Sequence, residues 1–266
     1  MKNILLLVHD DKGQEARVQG ALDLARGLSG HIRCLDVTPI YVFPGDLEGA
    51  AAGQLVAAER VSEARNHAAL EARLANEALA WDWAEALGDM ANCLVGHARL
   101  ADVIVVNCTR DGWLNGDRRS IVTSVVTQAN CPVVAIPDPA MGIELGEAAI
   151  VCWDGSQPAA NALRAAIPML KLARAVHVIT VGEIQDGPSA LEAAAYLSRH
   201  DIHAEVQAIA AGAAGPDACL LDLGQSLRAG YCVMGAYGHG RVNEALFGGV
   251  TRRMIQAAKL PLVLSR

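Results

Sequence analysis

The feature that most constrains this chain is an internal repeat. The segment from Leu6 to Asp10 resembles the segment from Ile150 to Asp154, which lies 144 residues further on. A second match, between Asp102–Val106 and Tyr231–Gly235, has an offset of 129, so the second copy is 15 residues shorter in its middle. Repeats of this length predict that one structural unit occurs twice.

A run of proline and glycine residues marks the boundary between the two copies, from Pro137 to Gly142. Such residues punctuate regular structure and favour turns. We therefore expect a first domain at residues 1–139 and a second domain at residues 146–266.

Within each copy, short apolar runs rich in β-branched residues alternate with longer stretches of helical period. This alternation is typical of βαβ units and predicts a parallel sheet covered by helices on both faces. The predicted strands are 3–9, 32–38, 79–86, 102–107, 132–136, 148–153, 175–181, 203–210, 231–235 and 260–265. The predicted helices are 13–28, 47–76, 89–99, 119–129, 157–172, 188–200, 216–229 and 245–258.

Composition narrows the class of protein. Hydrophobic residues make up 52% of the 266 residues and charged residues 19%, which is typical of a globular chain. The net charge of −7 argues against binding to a nucleic-acid backbone. No uncharged run is apolar enough for a bilayer span, and the first residues lack a signal-peptide pattern, so we expect a cytoplasmic protein with no membrane partner. The seven cysteines have no metal-site spacing, and we expect free thiols and no metal site.

A group of glycines follows the fourth strand of the second half. Gly235 and Gly238 are separated by two residues, and Gly248 follows Gly238 after nine more. Gly249 comes next, in the first two turns of the predicted helix 245–258. Bare backbone amides and a helix amino terminus together favour anions, so this spacing indicates a phosphate cradle.

In these residues the sequence resembles the universal stress protein family, whose adenine-nucleotide-binding members carry G-x-x-G, nine residues, then G-(S/T). The resemblance covers both halves, as in tandem members of the family. It implies two Rossmann-like α/β domains of the adenine-nucleotide alpha hydrolase type, each with a five-stranded parallel sheet. It also implies that the halves pair through their last strands, so that the chain is its own pseudo-dimer; a homodimer of two chains is left open.

The resemblance also implies a set of nucleotide contacts in the second half. Asp154 matches the family's acidic residue at the end of the first strand, and Val181 matches the position that meets adenine. Gly249 departs from the family, because it stands where members have Ser or Thr and so lacks one hydroxyl for the phosphates. Thr251, two positions on, could compensate weakly.

Each of these residues also has a simpler interpretation. The glycines at 235, 238 and 248 could serve only turn geometry and helix packing, and Asp154 could be a turn or capping acceptor before the next helix. His239 and Arg241 lie in the predicted cradle and could donate to a phosphate, or could be ordinary exposed side chains.

The first half lacks the cradle. At the offset of 129 its glycine positions become Val106, Thr109 and Arg119, and residues that carry a Cβ keep the backbone away from phosphates. We predict that this half has lost the phosphate site. Its charged loop at 110–119 could bind a small anion or be a solvated turn.

The leading functional hypothesis is a stress-response protein that binds ATP, with Mg²⁺, in the second domain and acts as a sensor or regulator. The chain has no P-loop motif and no evident pair of acid and base residues, so we name no catalytic residue. Two alternatives stay open: a slow adenine-nucleotide hydrolase, and a scaffold that binds no nucleotide.

Overall fold

Every strand and helix expected from the sequence is present in the structure, which is a computed structural model. The strands are β1 Asn3–Val8, β2 His31–Thr38, β3 Ala80–Leu87, β4 Val103–Asn107, β5 Val133–Ile136, β6 Ala148–Cys152, β7 Val176–Val181, β8 Ala204–Ile209, β9 Ala229–Gly235 and β10 Leu262–Ser265. The helices are α1 Gln14–Leu28, α2 Ala50–Leu74, α3 Met90–His97, α4 Ile121–Gln128, α5 Gln157–Leu170, α6 Ala190–Ser198, α7 Pro216–Ser226 and α8 Gly248–Ala257, with a 3₁₀ turn at Ala98–Leu100.

The structure describes residues 1–38, 50–108, 121–138, 140–184, 186–210, 212, 215–237 and 248–266, with side chains of α2 described from residue 61 onward. Among these residues, no helix has the length and apolar character needed to cross a bilayer. All seven cysteines are free thiols, as the sequence predicts.

The strands form one ten-stranded sheet in the order β3-β2-β1-β4-β5-β10-β9-β6-β7-β8. Neighbouring strands are parallel within each half. The halves meet where β5 and β10 pair antiparallel, with Val134 opposite Val263. This confirms the expected pairing through the last strand of each half. The domain ranges 1–139 and 146–266 remain a prediction, since the sheet and its core run through the junction.

Two hydrophobic cores cover the two faces of this sheet. Helices α1, α2, α5 and α6 contribute to one core and α3, α4, α7 and α8 to the other. Each core crosses the junction of the halves: Val134 and Val263 belong to the first, whereas Val133 and Leu262 belong to the second. Successive residues of a buried strand therefore point into opposite cores, because the side chains of a strand alternate between the two faces of the sheet.

Strand order reverses once in each half, between β1 and β4 and between β6 and β9. Open α/β sheets bind ligands beyond the carboxyl ends of the strands at such a switch point. The two carboxyl edges at these switch points are therefore the places to look for a site.

Candidate functional site

The carboxyl edge of the second half carries three of the predicted site residues. Val181 and Gly235 end β7 and β9, and Asp154 follows β6 by two residues. Because β9, β6 and β7 are parallel neighbours, their ends lie at one edge of the sheet. Gly238, His239 and Arg241 lie outside the described residues, as does the charged loop at 110–119 of the first half.

Asp154 takes part in the turn that begins α5. Its side chain is exposed, and Oδ1 accepts a hydrogen bond from the backbone N–H of Ser156 at 3.0 Å. Ser156 in turn is the N-cap of α5 and accepts from the N–H of Ala159 at 3.3 Å. Asp154 therefore has the turn role that the sequence offered as the simpler interpretation, at a position that also faces solvent.

Gly235 is required by packing between β9 and α5. A Cβ built on this residue would lie 2.5 Å from the backbone nitrogen of Ala159 and 2.7 Å from the carbonyl carbon of Pro158. Real Cβ atoms do not approach backbone this closely, so the first turn of α5 can rest on the end of β9 only because residue 235 is a glycine.

The strand register corrects the counterpart of Gly235 in the first half. Asn107 pairs with Ile136, and Gly235 pairs with Ser265, which is the counterpart of Ile136 in the repeat. Asn107 rather than Val106 therefore matches Gly235. The expected outcome is unchanged, because a side chain occupies the glycine position in the first half.

Helix α8 begins at Gly248, and its first turn meets a residue that the sequence analysis did not single out. A Cβ on Gly249 would lie 2.5 Å from Nη1 of Arg253, whose Nη2 is 2.8 Å from Oδ1 of Asp217 on α7. Arg253 lies four residues after Gly249, one helical turn away, and this spacing was the available signal. Thr251 is buried, with 6% of its surface exposed, so the compensating role suggested for its hydroxyl is not supported.

Side chains fill the corresponding edge of the first half. The guanidinium of Arg17, a residue 2% exposed, donates to the backbone oxygens of Leu7 and His9 at 3.1 and 3.0 Å. It also donates to both carboxylate oxygens of Asp11 at 2.9 and 2.8 Å, and to the amide oxygen of Asn107. This network crosses from the end of β1 to the end of β4, at the switch point. The sequence indicated only that this edge of the first half lacks glycines. In the structure the buried guanidinium of Arg17 occupies it.

A second buried polar group lies beside this network. Nδ1 of His9 is 2.7 Å from Oε1 of Glu63 on α2, and the two groups form an ion pair when the imidazole is protonated. Burial acts to lower the pKa of His9, but hydrogen bonding to Glu63, together with the negative charges of Glu63 and Asp11, outweighs burial and raises the pKa.

Asp36, near the end of β2, belongs to the same group and is 7% exposed. Burial, with the negative charge of Glu63, raises the pKa of Asp36 to about 6. Its Oδ1 and Oε2 of Glu63 have no hydrogen-bond partner. In the part of the chain that the structure describes, no three His, Cys, Asp or Glu side chains are grouped to hold a metal.

Comparison with known proteins gives one family and a set of similar folds. The family model described as the universal stress protein family matches residues 1–137. A universal stress protein from Archaeoglobus fulgidus DSM 4304 has a TM-score of 0.73 at 17% identity, covering 99% of this chain and 96% of its own. A functionally unknown protein from Pseudomonas aeruginosa PAO1 has a TM-score of 0.60 at 15% identity, covering 99% and 92%.

A universal stress protein solved in complex with cAMP covers 46% of this chain and 99% of its own, at 17% identity and a TM-score of 0.36. No curated protein sequence matches the chain significantly.

Proposed function

Because the chain belongs to the universal stress protein family, we propose that it is a stress-response protein that binds ATP at the carboxyl edge of its second half. One observation carries the proposal: β7, β6 and β9 end side by side at a switch point, and Val181, Asp154 and Gly235 are the residues found there. The bound state would act as a sensor or regulator of other molecules.

The chemistry of this edge supports a nucleotide. Gly235 carries no side chain, and α8, which begins at Gly248 within the predicted cradle, contributes the partial positive charge of its amino terminus. The exposed carboxylate of Asp154 is an acceptor of the kind that ribose or adenine donors require. Mg²⁺ would enter on the phosphates of ATP, which is how this ion usually binds.

The same proposal places the protein in the cytoplasm, without nucleic-acid or membrane partners. Its support is the net charge of −7 and, among the described residues, the absence of any helix able to span a bilayer. The antiparallel pairing of β5 with β10 supports a pseudo-dimer within one chain.

A scaffold that binds no nucleotide is the second candidate. It is favoured by a specific observation, since contact with α5 alone accounts for Gly235, and the first turn of α8 offers Gly249 where family members have a hydroxyl. Weak hydrolysis of ATP would be a property of the first candidate and is measured in the same samples by phosphate release.

Titration calorimetry and thermal unfolding with ATP separate the two candidates. We expect one ATP per chain, and at a hundredfold excess over the dissociation constant a stabilisation of about 2.7 kcal/mol. Asp154→Ala should weaken binding by roughly fivefold, the loss of about one hydrogen bond. The matched variant in the first half, Asp10→Ala, should bind as the parent does.

Gly249→Ser restores the hydroxyl of the family pattern and should tighten ATP binding, also by roughly fivefold. The new side chain meets only the guanidinium end of Arg253, which can move. Absence of both heat and a melting shift at millimolar ATP, in the parent and in Gly249→Ser, contradicts nucleotide binding and leaves the scaffold.

A further inference from the structure

A groove of about 250 Å³ lies between α5 and α6, on a helix-covered face of the second half. Its walls are mainly apolar, and three charged side chains stand among them. The lining residues are Trp153, Ala160, Leu163, Arg164, Pro188, Glu192, Ala193, Tyr196 and Arg199. It is a separate feature from the residues proposed to hold ATP.

The apolar part of the groove is preformed. Trp153 is 5% exposed, and its Nε1 donates to the carbonyl oxygen of Pro188 at 2.8 Å, so the indole is held in place and its polar atom is satisfied. Leu163 and Ala193 are buried at 2% and 3% exposure. Tyr196 packs against the same core. A fixed apolar wall of this kind favours a flat, apolar ligand.

The charges at the groove are not balanced. The Oε2 atom of Glu192 accepts from the backbone N–H and the hydroxyl of Ser189 at 2.8 and 2.9 Å, in the capping box of α6. Arg164 donates to the neutral amide of Asn161. Among the described residues, neither the Arg164 nor the Arg199 guanidinium meets a carboxylate. Two exposed cations beside an apolar wall therefore favour a ligand with an acidic group.

The first half shows that this groove is not an obligatory gap of the fold. There α1 and α2 occupy the equivalent places and are tied together by polar contacts. Gln14 and Asn66 exchange two amide hydrogen bonds at 2.5 and 2.8 Å, and Arg73 bonds to Glu15 and Gln19. No hydrogen bond or ion pair links α5 to α6, both of which are fully described.

We propose that the groove between α5 and α6 binds a small aromatic carboxylate. The ring system lies against Trp153 and Tyr196, and the carboxylate is bound by Arg164 and Arg199. A dry cavity of about 150 Å³ holds one benzene ring. The larger groove seen here therefore fits a bicyclic ring system.

The probe for this proposal is 2-naphthoate, titrated into the full chain by calorimetry, with the uncharged 2-naphthamide as its analogue. We expect saturable one-to-one binding of the acid and binding of the amide that is roughly tenfold weaker. The double variant Arg164→Gln, Arg199→Gln should weaken the acid by roughly tenfold and leave the amide unchanged. Arg65→Gln, which removes an exposed arginine of α2, is the matched control and should change neither.

Ala160→Trp should fill the groove and weaken the acid and the amide alike. Because the two arginines are exposed, the double variant keeps the test valid even where Ala160→Trp fails to fold.

The proposal is overturned when 2-naphthoate shows no saturable binding at millimolar concentration, or when the double variant binds it like the parent. It is equally overturned when the parent protein sediments as a dimer, Ala160→Trp abolishes that dimer, and 2-naphthoate does not bind. The groove is then a contact between two chains. None of these outcomes depends on ATP.

Discussion

The two halves bring the end of the penultimate strand against the start of the first helix in opposite ways. In the first half the strand carries a side chain, Asn107, and the helix start carries the glycine, Gly13, whose added Cβ would lie 2.5 Å from the Asn107 amide. In the second half the strand carries Gly235, and the helix start carries Pro158. Strand and helix approach each other closely in both halves. The glycine that permits this lies on the helix side in the first half and on the strand in the second.

The consequence is two different carboxyl edges on one fold. Asn107 accepts from Arg17, and the buried guanidinium closes the first edge. At the offset of 144 the counterpart of Arg17 is Asn161, which instead donates to the backbone oxygen of Arg266 at 2.7 Å. Among the described residues, the first edge thus carries a buried guanidinium that has no counterpart at the second.

Removing that arginine should have the largest effect on stability. Arg17→Met keeps an unbranched side chain but removes the charged donor that Asp11, Asn107 and the backbone oxygens of Leu7 and His9 share. Loss of several hydrogen bonds from one buried, charged donor costs about 3 kcal/mol or more. Urea unfolding at neutral pH measures the loss.

The control is the counterpart in the other half. Asn161→Ala removes a partly exposed amide and should lower the free energy of unfolding by less than about 1 kcal/mol. Equal losses in the two variants would mean that the edges do not differ in the way described.

The Gly235 position should give the next largest loss of stability. Gly235→Ala places a methyl group against the backbone of Pro158 and Ala159, which cannot move aside as a side chain can. Overpacking of this kind costs about 2 kcal/mol. Gly96→Ala in α3 is the control, since an added Cβ there has no atom within 4 Å, and it should stabilise by up to about 1 kcal/mol. A Gly235→Ala protein of unchanged stability that no longer binds ATP would show that the glycine serves the ligand and not the packing.

The sequence could predict the elements from local periodicity and the repeat from the constant spacing between similar segments. The pairing of the halves followed from the family resemblance. The sequence could not predict the closure of the first edge, since nothing local distinguishes Arg17 from an ordinary exposed arginine of an amphipathic helix. The matching of Val106 with Gly235 was wrong by one residue, because only the pairing of β4 with β5 and of β9 with β10 sets that register. The contact of Arg253 with Gly249 also depends on geometry, although its spacing was visible.

The last effect expected concerns a buried carboxylate of the first half, and unlike the others it depends on pH. Asp36 has a folded-state pKa of about 6, raised by burial from an ordinary value of 3.8. Between these values the folded state holds a proton that the unfolded state has released, so stability from this group is present at low pH and is lost as pH rises through about 6. Asp36→Asn removes the buried charge and should stabilise the protein by up to about 3 kcal/mol at pH 7.5, which is the energy equivalent of the pKa shift, with no gain below about pH 4. Asp82→Asn on β3, an exposed carboxylate beside Arg33, should change stability by less than about 0.5 kcal/mol. Unfolding in urea across this pH range measures both variants, and an Asp36→Asn gain that is the same at every pH would show that the effect is one of packing and not of charge.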